Sequence, residues 1–92
     1  MIYARKIKMR PGSRNSQSLT EISHIYLTGL QTPGFYAKED IHDVLLDHPN
    51  TIKVGIPPYP DVIPATSPYG EKYVKSAPNA YGYDNLLSLP RE

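Results

Sequence analysis

Alternating apolar and polar residues predict four β-strands along this chain. Residues 2–9, 21–28, 51–56 and 71–76 each alternate with a period of two, which is the side-chain repeat of an extended strand. β-Branched and aromatic residues, which favour extended backbone, are frequent in these segments. The first two segments are joined by a polar loop after a Pro-Gly break, so we expect them to form an antiparallel hairpin.

The first predicted strand carries a local excess of positive charge. Five basic residues precede the first acidic residue of the chain: Arg5, Lys6, Lys8, Arg10 and Arg14. Strict alternation places Lys6, Lys8 and Arg10 on one strand face together with Ala4, and places Arg5 on the opposite face with Ile7. The net charge is only +1, so this is a basic patch on a nearly neutral chain rather than a strong global field.

One helix is predicted, over residues 37–47. Ile41, Val44, Leu45 and His48 recur at the spacing of a single helix face. A helix of about three turns is not stable alone in water, so we expect it to lie against the sheet.

The fold predicted from these elements is a single α+β domain over residues 1–92. It contains a small, mostly antiparallel sheet with a single helix packed on one face, in the order β-β-α-β-(β)-β. The proline-rich residues 57–69 are expected to be an extended excursion or an edge, because proline donates no hydrogen bond to a strand ladder, with Val62 and Ile63 pairing only briefly. Leucines at 86, 87 and 89 are expected to dock on the core.

Composition limits the classes of function. The chain has no cysteine, which removes disulfides, thiolate catalysis and cysteine-ligated zinc. No apolar run approaches the length of a membrane span, and charges interrupt the first residues before an apolar stretch like that of a signal peptide can form. We therefore expect a cytoplasmic protein without a membrane association.

Two arrangements on the helix resemble chemical sites. His42 and His48 are six residues apart, which does not give the i, i+4 pair that shared metal ligation needs. Asp40, Asp43 and Asp47 form a carboxylate stripe, which is typical of a solvated helix face, and no nucleophile–base set accompanies it. The sequence therefore predicts no metal, no cofactor and no enzymatic activity.

The C-terminal segments resemble a known family. Residues 72–78, Lys-Tyr-Val-Lys-Ser-Ala-Pro, and residues 84–90, Asp-Asn-Leu-Leu-Ser-Leu-Pro, are similar to the ending of the domain of unknown function 3892 family. The order of the upstream elements is similar as well. The resemblance implies a bacterial protein of that family and assigns no catalytic residues, because the family is itself uncharacterised.

Two binding functions remain open, and we expect the first. A protein partner is predicted to contact the proline-rich turn and an aromatic loop, through Pro57, Tyr59, Pro60, Tyr81 and Tyr83, since tyrosine is enriched at contact hot spots and Pro-x-x-Pro segments form polyproline II ligands. The alternative is a nucleic-acid interface formed by the basic residues Lys6, Lys8, Arg10 and Arg14.

Overall fold

The chain folds, in a computed structural model that describes residues 1–77 and 85–92, into six strands and one helix. The helix is α1 (Lys38–Asp47) and two short 3-10 helices cover Leu19–Glu21 and Asn85–Ser88. The strands are β1 (Ile2–Met9), β2 (Ile22–Thr28), β3 (Gly34–Ala37), β4 (Ile52–Val54), β5 (Val62–Thr66) and β6 (Lys72–Ser76).

The strands form a four-stranded sheet and a two-stranded ribbon. The sheet has the order β3-β2-β1-β4, in which β2 is antiparallel to both neighbours and β4 is parallel to β1. The parallel pair arises because α1 crosses one face of the sheet between β3 and β4, which returns the chain to the opposite edge in the same direction. β5 and β6 pair with each other, and a bridge between Lys53 and Asp61 connects the ribbon to β4. The predicted α+β class, with a mostly antiparallel sheet and one helix, is confirmed.

Two strand predictions differ from the structure. β3 lies where only a Pro33-Gly34 break was expected, because a four-residue strand that begins at the break itself is too short to establish an alternation. The brief pairing expected at Val62 and Ile63 extends over all of β5. Pro64 is accommodated there because a two-stranded ribbon has a free outer edge where no amide donor is required.

The β1–β2 register contains two shifts, and the first of them decides which residues of β1 face the core. They occur between Ala4 and Lys6 and between Lys8 and Met9, as β-bulges produce. Ala4, Ile7 and Met9 are therefore all buried, although strict alternation cannot bring an even-numbered and an odd-numbered residue to one side. Placing Ala4 beside the lysines was wrong.

The helix buries a different stripe from the predicted one. Ile41 and Leu45 are buried as expected, but Val44 is 48% exposed and His48 is exposed. His42, which lies outside the predicted apolar stripe, is buried as well. The cause is the β5–β6 ribbon, which packs on this flank of α1 and leaves the Val44 flank open.

A buried ammonium group connects three elements around the core. The side chain of Lys38 is 1% exposed, and its Nζ donates to the Thr20 carbonyl and to Glu71. Arg10 also donates to Glu71. This cluster links the start of α1 to the turn before β6, and it holds the pKa of Glu71 below its ordinary value, first through the Lys38 hydrogen bond. Burying a charge is costly without such partners.

The C-terminal segment docks as predicted. Leu86 and Leu89 are 0% and 3% exposed and belong to the core cluster. The backbone then pairs with β1, because the Ile7 amide donates to the Pro90 carbonyl and the Glu92 amide donates to the Ile7 carbonyl, both at 2.9 Å.

Candidate nucleic-acid interface

The sheet has one face that α1 does not cover, and we call it the outer face. The strand registers identify its members, which are the strand residues whose side chains point away from the side where the buried residues lie. They are Tyr3, Lys6 and Lys8 of β1, His24, Tyr26 and Thr28 of β2, Phe35 and Ala37 of β3, and Lys53 of β4. Arg5 joins them from the bulge. The strand residues of this face include no Asp or Glu.

Each of three aromatic rings on the outer face lies next to a cation. The guanidinium carbon of Arg5 is 4.8 Å from the ring centroid of Tyr3. The ammonium group of Lys6 is 5.4 Å from the ring centroid of Tyr26, and that of Lys8 is 5.0 Å from the ring centroid of Phe35. These distances are within the range of a cation–π interaction. Positive charge and aromatic surface are therefore interleaved across three strands.

The rings also contact each other in two pairs. Tyr26 and Phe35 are cross-strand neighbours, with centroids 5.1 Å apart and planes at 80°. At the other end of the face, Tyr3 and Tyr59 have centroids 6.2 Å apart and planes at 69°. Edge-to-face packing of this kind is favourable for aromatic rings. Tyr59, predicted as a protein contact, is thus a neighbour of the basic strand.

Acidic side chains lie only at the rim of the outer face, among the residues that the structure describes. Lys6 is 3.0 Å from the Glu92 carboxylate, and Lys53 is 2.7 Å from that of Asp61. Both pairs are partly solvent-exposed, so each is weak and exchangeable. Lys8 has no such partner in the described part of the chain, and it is the most available cation of the face.

Two of the four predicted basic residues do not belong to this face. Arg10 lies one residue beyond the end of β1, and its guanidinium turns to Glu71 near the buried Lys38. Arg14 lies exposed in the loop after β1, where its carbonyl accepts a hydrogen bond from Arg91. The structure therefore brings Lys6 and Lys8 together and separates Arg10 and Arg14 from them.

The proline-rich segment forms a turn rather than a polyproline II helix. The Tyr59 amide donates to the Ile56 carbonyl, and the Val54 amide donates to the Pro60 carbonyl. Tyr59 has a φ of 58°, whereas polyproline II requires about −75°. The Pro57 to Pro60 ligand interpretation was wrong in conformation, although Pro57 and Tyr59 are exposed. The other two predicted contacts, at 81 and 83, lie outside the described residues.

The helix histidines and carboxylates do not form a metal site. Among the described residues, no three His, Asp or Glu side chains converge on one point. His42 contacts its neighbour Asp43 at 3.1 Å, and Lys72 contacts the same carboxylate at 3.0 Å. These hydrogen bonds, the one from His42 first, lower the pKa of Asp43 and keep it ionised.

The aromatic members of the outer face were not predicted as site residues. Tyr26 and His24 share a strand face by simple alternation, so this part could have been found from the sequence. Phe35 could not, because β3 itself was missed. Strict alternation would place Tyr3 on the same face as Ile7, and only the bulge at Arg5 turns it outward.

A comparison with family models matches the chain to an uncharacterised family. The model described as "Protein of unknown function (DUF3892)" matches residues 3–90, which is nearly the whole chain. No curated protein and no solved structure matches the chain. No helix in the described residues is long and apolar enough to cross a membrane.

Proposed function

The chain belongs to the DUF3892 family of proteins of unknown function, and we propose that it binds single-stranded nucleic acid through the outer face. The observation that carries this proposal is the interleaving of Arg5, Lys6 and Lys8 with the rings of Tyr3, Tyr26 and Phe35. Sheets that bind single strands combine aromatic rings that stack bases with cations that follow the phosphates.

The arrangement favours a single strand over a duplex. Tyr26 and Phe35 lie on a sheet face, where a ring can stack only on a base that has left its own stack. A duplex presents phosphates but keeps its bases stacked, so it would engage the cations and leave the rings without partners. We therefore expect the affinity for a single strand to exceed that for a duplex of equal length.

The charges set a modest affinity with a moderate salt dependence. Arg5, Lys6, Lys8 and Lys53 can neutralise about four phosphates, which gives a slope of log affinity against log salt of about −3 for a single strand. Stacking contributes about 1–3 kcal/mol per base and depends less on salt. Lys6 and Lys53 must first break their ion pairs with Glu92 and Asp61. These two lysines therefore contribute less to the binding free energy than unpaired lysines would.

The test is a binding titration of the whole chain with fluorescently labelled single-stranded RNA, single-stranded DNA and duplex DNA at several salt concentrations. Lys8→Gln should weaken binding and reduce the salt slope by about 0.7. Phe35→Ala should weaken it by about 5- to 150-fold, which corresponds to the loss of one stacked base. Absence of single-strand binding at low salt would refute the proposal.

Matched controls exclude a general effect of charge or of aromatic content. Lys72→Gln removes the same charge from an exposed strand lysine that pairs with α1, away from the outer face. Tyr69→Ala removes a ring that is 97% exposed at the tip of the ribbon. Both should leave binding unchanged. Glu92→Gln should strengthen binding, since it frees Lys6, and a misfolded variant would not produce such a gain.

A protein partner is the second candidate, and the position of Tyr59 favours it. The ring is 46% exposed on a tight turn at the end of the outer face, where a partner could reach it together with Tyr3. Capture of a specific partner that is lost with Tyr59→Ala, combined with no nucleic-acid binding, would favour this function. The predicted cytoplasmic location accords with either function.

A further inference from the structure

An apolar cavity opens to solvent on the helix side of the sheet, away from the outer face. It measures about 120 Å³ and lies where α1 passes the ends of the four strands of the sheet. Its apolar lining consists of Ile2, Leu27, Leu30, Tyr36, Ile41, Val44 and Ile52, and Asp40 completes it. Seven apolar or aromatic side chains thus surround a space with a single carboxylate at its margin.

The size of the cavity indicates what it can hold. Pockets that take drug-sized molecules or cofactors usually measure about 300–1,000 Å³. An apolar cavity of about 150 Å³ is known to hold benzene. The cavity in this chain therefore fits one branched aliphatic side chain or one small ring, which is the size of a single anchor residue of a protein partner.

The charge at the margin indicates what should flank that anchor. Asp40, Val44 and Asp47 are spaced at i, i+4 and i+7 and so share one stripe of α1. In the described part of the chain neither Asp40 nor Asp47 has an ion-pair partner, in contrast to Asp43, which pairs with Lys72. Two carboxylates without partners therefore flank the half-exposed Val44, which lines the cavity.

We infer that this cavity binds a basic segment of a partner protein, in which one leucine-sized side chain enters the cavity and adjacent lysine or arginine residues meet Asp40 and Asp47. A second copy of the chain does not supply such a segment from its described residues. Its large exposed apolar residues have no basic neighbour in sequence; they are Met1, Val44, Leu46, Tyr59 and Tyr69. Lys-Ile-Lys occurs at residues 6–8, but Ile7 is 0% exposed.

The site is independent of the proposed nucleic-acid interface. The cavity side chains Leu27 and Ile52 project from the sheet face that α1 covers, whereas Tyr26 and Lys53 project from the outer face. The failure of one proposal therefore leaves the other standing.

The experiment is an amide NMR titration of the whole chain with a capped peptide, Gly-Lys-Leu-Arg-Gly. One side chain and two exposed ion pairs predict a dissociation constant on the order of millimolar, which this method measures. Shifts should be saturable and centred on Ile2, Leu30 and Ile52. A peptide with Ser for Leu, and one with Glu for both basic residues, should each bind at least about tenfold more weakly.

Variants of the chain provide the matched comparison. Asp40→Asn should weaken peptide binding several-fold, whereas Glu39→Gln, which removes the same charge from the same helical turn, should not. Val44→Phe should block the cavity and abolish the shifts, whereas Leu46→Phe, on the opposite flank of α1, should leave them. Retained amide dispersion would show that each variant is folded.

Three results of the peptide titration would overturn the inference. These are no shifts at several times the expected dissociation constant, equal shifts with the Ser or Glu peptide, and shifts centred outside the cavity lining. Concentration-dependent shifts of the lining in the free protein would also overturn it, because they would identify a second copy as the occupant.

Discussion

The replacement Leu86→Ala tests whether the C-terminal segment is part of the core or only rests on it. Leu86 is 0% exposed in the core cluster that the sheet and helix share. Truncating a fully buried leucine usually costs about 2–5 kcal/mol, which includes the cavity that remains. A folded chain of 92 residues is usually stable by about 5–14 kcal/mol. One side chain in this segment should therefore account for a large fraction of the total stability.

The expected loss can be measured in two ways. Urea unfolding followed by circular dichroism should show a decrease in the free energy of unfolding of about 3 kcal/mol. Thermal unfolding should show a decrease in Tm of roughly 12–24 °C, because each kcal/mol shifts a domain of this size by about 4–8 °C. The control is Leu46→Ala, which makes the same chemical change at a position 62% exposed and should cost less than about 0.5 kcal/mol.

Equal and small effects of the two replacements would refute the reasoning. That result would mean that the segment after residue 84 contributes little to the folded state and that the core closes without it. A large effect of Leu46→Ala would refute it differently, because it would show that exposure does not predict the cost in this fold.

Two further predictions concern a charge and a turn. The lowered pKa of Glu71 means that its cluster with Lys38 adds stability fully above about pH 4.5 and loses it as the pH falls through the lower folded-state value. The difference in unfolding free energy between the wild type and Glu71→Gln should therefore shrink in urea titrations between about pH 5 and about pH 3, and parallel curves would contradict this. Gly29 has a φ of +87°, and a Cβ there would strike the carbonyl of Met1. Gly29→Ala should therefore lower Tm more than Gly70→Ala, because Gly70 has a similar φ of +83° but open space around its Cβ position. Equal decreases in Tm would show that the positive φ, and not the contact with Met1, determines the cost.

The sequence by itself determined the class of fold and the location of the positive charge. Period-two segments are visible without any structure because each strand must present one apolar side to the core, and β1, β2 and β6 all follow their predicted ranges closely. The helix was found for the same reason, and leucines at 86 and 89 were recognised as core residues because apolar side chains rarely remain in water.

Tertiary structure alone decided which residues share a face. The bulge at Arg5 reverses the direction of Tyr3, and Arg10, just beyond the end of β1, contacts Glu71 from the turn before β6. An alternating pattern does not reveal this bulge, because the bulge inserts one residue that has no partner on the neighbouring strand. Lys38 was likewise unpredictable, since only the fold brings Glu71 to it across 33 residues of chain.

The same distinction applies to the two candidate sites. The sequence identified Lys6 and Lys8 as a basic pair, but Phe35 and Tyr59 reach the same surface only through strand pairing and a turn. The cavity beside Val44 exists because the β5–β6 ribbon covers one flank of α1 and leaves the other open. Local patterns fix elements because they depend on neighbours in sequence, whereas surfaces and cavities depend on contacts between residues that are distant in the chain.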